Sequence, residues 1–369
     1  MRDREPQQAP LDMSAHSSPG VDLSVVFAVR GGFANNRKTI ECLLGQTIAS
    51  RMELVVISDS QRLLREIEEF VAAAGRLARC EFLLHAGDHL TGDRLRAATK
   101  ATAGVLAFAE DHAFHDRNWA EEITAAFASS EDIHAAAPRL VNPNPESAVS
   151  RAQFLLNHGS NVRHIEPRRF GDCEHLPWHA TAYRRDVFAA EAGGGHVERV
   201  QAEVFLQEHI RKARPAARFV RCDRTVTQHV NMSRIWPALL LAFHGGRIFG
   251  AVRTTERGWG LSSRIARALL FPVVAALKIR RTASLLWDRS SWLRTGSNFA
   301  VAGVLACVHA LGEAVGSCSG AGDSERVYSE VESNRVRFLR PAERHHLFSN
   351  GCVPQAASHP HGSRVEQVS

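Results

Sequence analysis

Val105-Leu-Ala-Phe-Ala-Glu110-Asp111-His112 decides how this chain is read: an apolar run with the character of a buried strand ends abruptly in two acids and an imidazole. Unpaired carboxylates are costly inside a sheet. The cluster therefore belongs at the strand's exposed C-terminal end, where open α/β sheets bind their ligands. Such a position suits a divalent metal meeting a phosphate.

The residues upstream repeat the pattern that would place it there. Val21 to Val29 reads as a first strand, broken by Arg30-Gly31-Gly32; Glu53 to Ile57 reads as a second, ending at Ser58-Asp59-Ser60; Cys80 to Leu84 reads as a third. Between them, Asn36 to Leu44 and Asp93 to Ala103 have helical spacing, and Arg62 to Ala78 places Leu63, Leu64, Ile67, Phe70 and Val71 on one helical face. Strands alternating with helices specify a sheet covered on both faces. The predicted fold class is α/β with a mostly parallel central sheet flanked by helices. Ile133 to Leu140, Trp178 to Val187 and Arg218 to Val226 supply further strand-like pieces, and Val200 to Lys212 a strong helix.

Composition divides the chain into four stretches. Of the 369 residues, 44% are hydrophobic and 23% charged, which is ordinary for a globular protein. Residues 1 to 20 and 321 to 369 are polar and are expected to be disordered tails, flanking an α/β domain over 21 to 232 and a basic, apolar helical region over 233 to 320. Residues 233 to 300 carry eleven Lys or Arg against Glu256 and Asp288, although the whole chain is only +6. That asymmetry implies an anionic partner, and the apolar runs between the charges favour a lipid surface over nucleic acid. Trp236 to Phe243, Ala268 to Leu277 (within an expected helix Arg264 to Lys278) and Phe299 to Leu311 each fall short of the ~20 residues of a membrane span. They are expected to lie in the interface, making the protein peripheral or monotopic. Seven scattered cysteines with no Cys-x-x-Cys pair argue against a disulfide framework or a zinc knuckle. Residues 1 to 20 also lack the apolar core of a secretory signal, and a reduced, cytoplasmic setting is expected.

Three acidic sites fall at strand ends or loop edges: Asp59, the Glu110-Asp111 pair and Glu203. Chemistry on a nucleotide sugar needs such a division of labour, with one carboxylate for the nucleoside, one for a metal on the diphosphate and one to deprotonate the acceptor. Taken singly, each has a plainer role: Asp59 as the cap of the following helix, Glu203 as a solvated helix residue.

Ser24 to Val29, Cys42-Leu-Leu-Gly-Gln-Thr47, Glu53 to Ser60 and Ala103 to His112, in that order, resemble the opening half of a family-2 glycosyltransferase with the GT-A fold. The resemblance continues through His175-Leu-Pro177-Trp178, Tyr183 to Phe188, Gly195 to Arg211 and Val226 to Asn231. It implies an inverting transfer from a nucleotide sugar, a UDP-sugar foremost, to a glycan or lipid-linked acceptor at an anionic membrane surface on the cytoplasmic side, with Mg2+ or Mn2+ as cofactor. By the same resemblance, Asp59 contacts the uracil or ribose, Ala28, Arg30 and Glu110 belong to the nucleotide pocket, and Asp111 is the metal-binding acid. His112 and His229 would assist at the metal or diphosphate, Glu203 would be the general base, and Trp178 would be an apolar platform for the acceptor sugar. The chain departs from the family's pattern at Ala28 (usually Pro), His112 (usually an acid) and Val204 (usually an acid), and has only Arg94 and Arg96 near an expected Arg-Asn. Those departures also fit a different class, a non-catalytic scaffold of the same fold that binds nucleotide or docks a partner.

Overall fold

The computed structural model describes residues 18 to 348, apart from 86, 88, 163 to 167, 178 to 180 and 193 to 201. The expected N-terminal tail up to residue 17, the last 21 residues, and Trp178 lie outside the described residues.

The apolar runs of the first half become β1 (Leu23–Val29), β2 (Met52–Ser58), β3 (Arg79–Leu84) and β4 (Val105–Ala109). They are followed by β5 (Ala113–His115), β6 (Ile133–Val141), β7 (Gly171–Asp172), β8 (Ala182–Arg184) and β9 (Arg218–His229). The sheet runs β3-β2-β1-β4-β8-β6-β9-β5, with β7 also on β9. The first four strands are parallel. β8 is antiparallel to both β4 and β6, so the sheet is mixed beyond its wound half. β1, β2 and β4 are buried throughout, because α1 (Phe33–Leu44), α2 (Gln61–Ala74) and α3 (Leu90–Ala98) cover the sheet on its two faces. Ser60, not Asp59, caps α2 by accepting from the Leu63 amide at 3.2 Å. α4 (Trp119–Ser129), α5 (Ala148–Val162), α6 (Arg185–Ala192) and α7 (Glu203–Ala213) complete this half.

The second half is helical: α8 (Ile235–Glu256), α9 (Leu261–Leu269), α10 (Phe271–Leu286), α11 (Trp292–Ser319), α12 (Ser324–Ser333), a 3-10 turn at Arg335–Phe338 and α13 (Pro341–Phe348). The helix expected over 264 to 278 is two helices, since Pro272 cannot continue the first and starts the second. α8 has 22 residues and α11 has 28, and both are long and apolar enough to cross a membrane by length and composition. Both helices outrun the apolar runs expected within them, because single glycine, histidine and arginine residues interrupt apolarity without interrupting the helix. Those glycines have a purpose: a Cβ at Gly250 would stand 2.2 Å from the Glu313 carbonyl oxygen, and one at Gly316 only 1.9 Å from that of Arg247. The two helices thus touch backbone to backbone.

The tail expected to be disordered from 321 is instead packed as far as 348. Val331, Val336, Leu339 and Leu347 are buried, the last two against Cys42, Phe114 and Val230 of the α/β domain. Average polarity hides these apolar positions, which recur at helical spacing and meet a surface the rest of the chain has already built. Cys42 is disulfide-bonded, whereas Cys80, Cys173, Cys222, Cys307 and Cys318 are free thiols.

Candidate active site

β4 stops at Ala109, Glu110 to His112 form the turn, and β5 returns antiparallel to the end of β9 with Ala113 opposite His229. That register sets the two imidazoles side by side, Nε2 to Nε2 at 3.2 Å. Glu110 Oε2 completes the group, 3.4 Å from His112 Nε2 and 3.5 Å from His229 Nε2. All three residues are buried. A cation bonded at about 2.1 to 2.2 Å to nitrogen and oxygen holds neighbouring ligand atoms about 3.0 to 3.6 Å apart. The three atoms already have that spacing, and two imidazoles with one carboxylate suit a first-row transition ion such as Mn2+ better than Mg2+.

The two acids stand differently around the imidazoles. Asp111, expected to bind the metal, has Oδ1 2.7 Å from His112 Nδ1, so Nε2 is the His112 nitrogen that faces the cluster. Glu110, expected on the nucleotide side, is the acid inside it. Arg94 of α3 fixes Glu110 by donating to its Oε1 at 2.8 Å. Burial and the Arg335 charge both press the His112 pKa down, yet Glu110 and Asp111 outweigh them and hold it at about 9. The field at this imidazole therefore favours positive charge.

Two residues from the supposed tail stand at the same place. Glu332 Oε1 lies 3.4 Å from His112 Nε2, and Arg335 donates both to Glu332 and to the Val230 carbonyl. Sequence reasoning missed both. The available signal was Val327, Tyr328 and Val331 on one helical face, with Val336 and Leu339 beyond.

Glu203 opens α7 and is buried. Tyr183 donates its hydroxyl to Glu203 Oε1, and Gln207 donates to the Tyr183 oxygen at 3.3 Å. Glu203 Oε2 has no hydrogen-bond partner among the described residues. Burial raises the Glu203 pKa to about 8 against the opposing effect of Tyr183 and Gln207. Glu203, Glu110 and His229 line one cavity of about 470 Å³ that extends to Phe249, Lys278 and His309 of the helical half.

Ala28, Arg30, Asp111, His112 and Ser333 line a separate crevice of about 10 Å³, and Leu90, Arg94, Glu110 and Glu332 border both spaces. Arg30 is held by Asp93 at 2.9 Å and the Gly87 carbonyl at 2.7 Å. Asp59 is exposed at the end of β2 and lines neither space. Of the other histidines that could have taken the place of His229, His209 pairs with Glu256 and His244 with Ser324, while His196 lies outside the described residues.

Residues 24 to 190 match the model of glycosyl transferase family 2. Compared with the curated proteins, the chain matches none. Among solved structures it is similar to GalNAc-T7 with UDP, GalNAc and Mn2+, at 15% identity and a TM-score of 0.45 over 65% of this chain and 52% of that one. It is also similar to S. aureus TarS 1-349 in complex with UDP, at 10% identity and a TM-score of 0.39 over 77% of this chain and 90% of that one. The chain spans about half the length of the first of these. Residues 24 to 190, a little under half of the chain, are thus similar to glycosyl transferase family 2.

Proposed function

We propose that the chain transfers a sugar, with inversion, from a nucleoside diphosphate sugar to a hydroxyl of a glycan or lipid-linked acceptor at a membrane surface, with a UDP-sugar as the favoured donor. One observation carries this reading: Glu203, Glu110 and His229 line the same cavity, so the proton-accepting and leaving-group ends of a displacement face one space.

Glu203 takes the acceptor's proton at the carboxylate oxygen left free, while Tyr183 and Gln207 hold the other oxygen and fix the carboxylate plane. A pKa near 8 makes this carboxylate a stronger base than a solvated glutamate. Asp111 orients His112, and Arg94 orients Glu110. A divalent cation such as Mn2+, when bound by Glu110, His112 and His229, supplies positive charge for the departing nucleoside diphosphate.

The nucleoside belongs beside Ala28 and Arg30, with Asp59 at the rim for the uracil or ribose. Ligand pockets measure roughly 300 to 1,000 Å³, so admitting a nucleotide requires Ser333 and its helix to move outward from the 10 Å³ crevice. Trp178 serves the acceptor sugar as an apolar platform. Exposed Trp236, Leu269, Trp287 and Trp292, set among arginines, rest on anionic lipid at the cytoplasmic face of the membrane.

The test is nucleotide release from a panel of nucleotide sugars in the presence of liposomes. Release with a UDP-sugar that Glu203→Gln abolishes is expected. No release with any donor, or release indifferent to Glu203→Gln, would sink the reading.

A further inference from the structure

The cavity that holds Glu203, Glu110 and His229 continues between α8, α10 and α11, where its lining changes character. Leu241, Ile248 and Phe249 of α8 and Leu305 and Ala306 of α11 make that end apolar, while Lys278 of α10 and His309 of α11 are the polar side chains these three helices place on it among the described residues. Lys278 shares a helical face with Ala275 and Thr282, both buried, whereas Val273 and Leu277 stand exposed on the opposite side of α10. A lysine on a packed helix face calls for an anion.

The protein supplies only part of one. Glu313, itself buried, has Oε1 3.4 Å from Lys278 Nζ and 3.2 Å from His309 Nδ1, but its Oε2 accepts from Arg253 at 2.7 Å. One carboxylate thus serves a lysine and an arginine, and the lysine is the cation that faces the cavity. We propose that this end of the cavity binds the phosphate of an acceptor with an apolar tail: Lys278 takes the phosphate, the tail lies along Leu241, Ile248, Phe249 and Leu305, and a sugar carried on the phosphate reaches Glu203. This rests on the transfer reading above and narrows its acceptor to a phosphate-linked lipid. A glycan without a tail would leave the apolar wall unused. α10 also gives such a lipid a short route, since its outer face is apolar and exposed while its inner face carries Lys278.

Calorimetry of the full chain in a non-ionic detergent tests this, with farnesyl phosphate, farnesol and dihexanoyl phosphatidylglycerol as probes. Farnesyl phosphate is expected to bind the wild type at least about tenfold more tightly than farnesol, and Lys278→Gln to remove that advantage. Arg264→Gln with Arg267→Gln, on α9, is expected to leave it intact. An advantage lost in that double variant and kept in Lys278→Gln places the phosphate on the outer surface and overturns the proposal. Phosphatidylglycerol binding as tightly as farnesyl phosphate, with the same loss in Lys278→Gln, makes the ligand a membrane phospholipid and overturns the assignment to the acceptor. Should Lys278→Gln fail to fold, equal binding of farnesyl phosphate and farnesol to the wild type still refutes it. No donor is present in these measurements, so nucleotide release that depends on Glu203 can stand while this acceptor falls.

Discussion

His112 and His229 meet Nε2 to Nε2 at 3.2 Å, with ring planes 77° apart, although 117 residues separate them in the chain. The antiparallel register of β5 on β9 imposes the contact. Two imidazole lone pairs at that distance repel unless a proton or a cation stands between them. Asp111 already engages the other nitrogen of His112, so the site's response to metal is the first property to measure.

Mn2+ should raise the melting temperature of the full chain, and EDTA should reverse the gain. A ligand at a hundredfold excess over its Kd adds about 2.7 kcal/mol to stability. His229→Ala should remove the response. A melting curve indifferent to Mn2+, or a His229→Ala protein that responds like the wild type, contradicts the assignment.

Glu203→Gln should lower kcat by roughly 10² to 10⁴ while leaving UDP affinity within a few-fold, as expected for a lost general base. Because the base works ionised and its pKa is raised to about 8, kcat/KM should rise with pH through that value. The same shift makes a stability prediction. Between the ordinary 4.5 and about 8 the folded state holds a proton that the unfolded state has released, so this group's contribution to stability falls as pH rises across the window and is flat above it. Urea titrations at pH 5 and pH 8 should therefore show the wild type losing more stability over that interval than Glu203→Gln. Equal losses would argue that Glu203 is not buried as described.

Gly316→Ala should separate α8 from α11. Its Cβ would stand 1.9 Å from the Arg247 carbonyl oxygen, an overlap that only a backbone shift relieves. A loss of about 1 to 3 kcal/mol is expected by denaturant titration. Gly296→Ala in the same helix meets nothing within 4 Å and should be neutral or stabilising by up to about 1 kcal/mol. Similar effects from both substitutions would remove the close helix contact as their explanation.

Trp292 is 81% and Leu269 is 75% exposed. The double change Trp292→Ser with Leu269→Ser should leave the protein in the supernatant when anionic vesicles are sedimented, whereas the wild type should pellet with them. Added salt should weaken wild-type binding, since each Lys or Arg near an anionic surface contributes about 1 kcal/mol. Equal pelleting of both proteins would place the lipid contact elsewhere.

The sequence by itself determined the wound half of the sheet. β1, β2 and β4 are unbroken apolar runs flanked by amphipathic helices, and local periodicity is enough to fix such elements. It also determined that Glu110, Asp111 and His112 lie at a strand end, because no buried strand tolerates them within it. Which acid stands between the two imidazoles was decided only by tertiary structure: adjacent residues on a turn point in different directions, and the pairing of β5 with β9, more than a hundred residues on, chose between them. Tertiary structure alone also recruited Glu332 and Arg335. Their segment is too polar on average to order itself, and it becomes ordered by covering apolar surface that exists only after the α/β domain has folded.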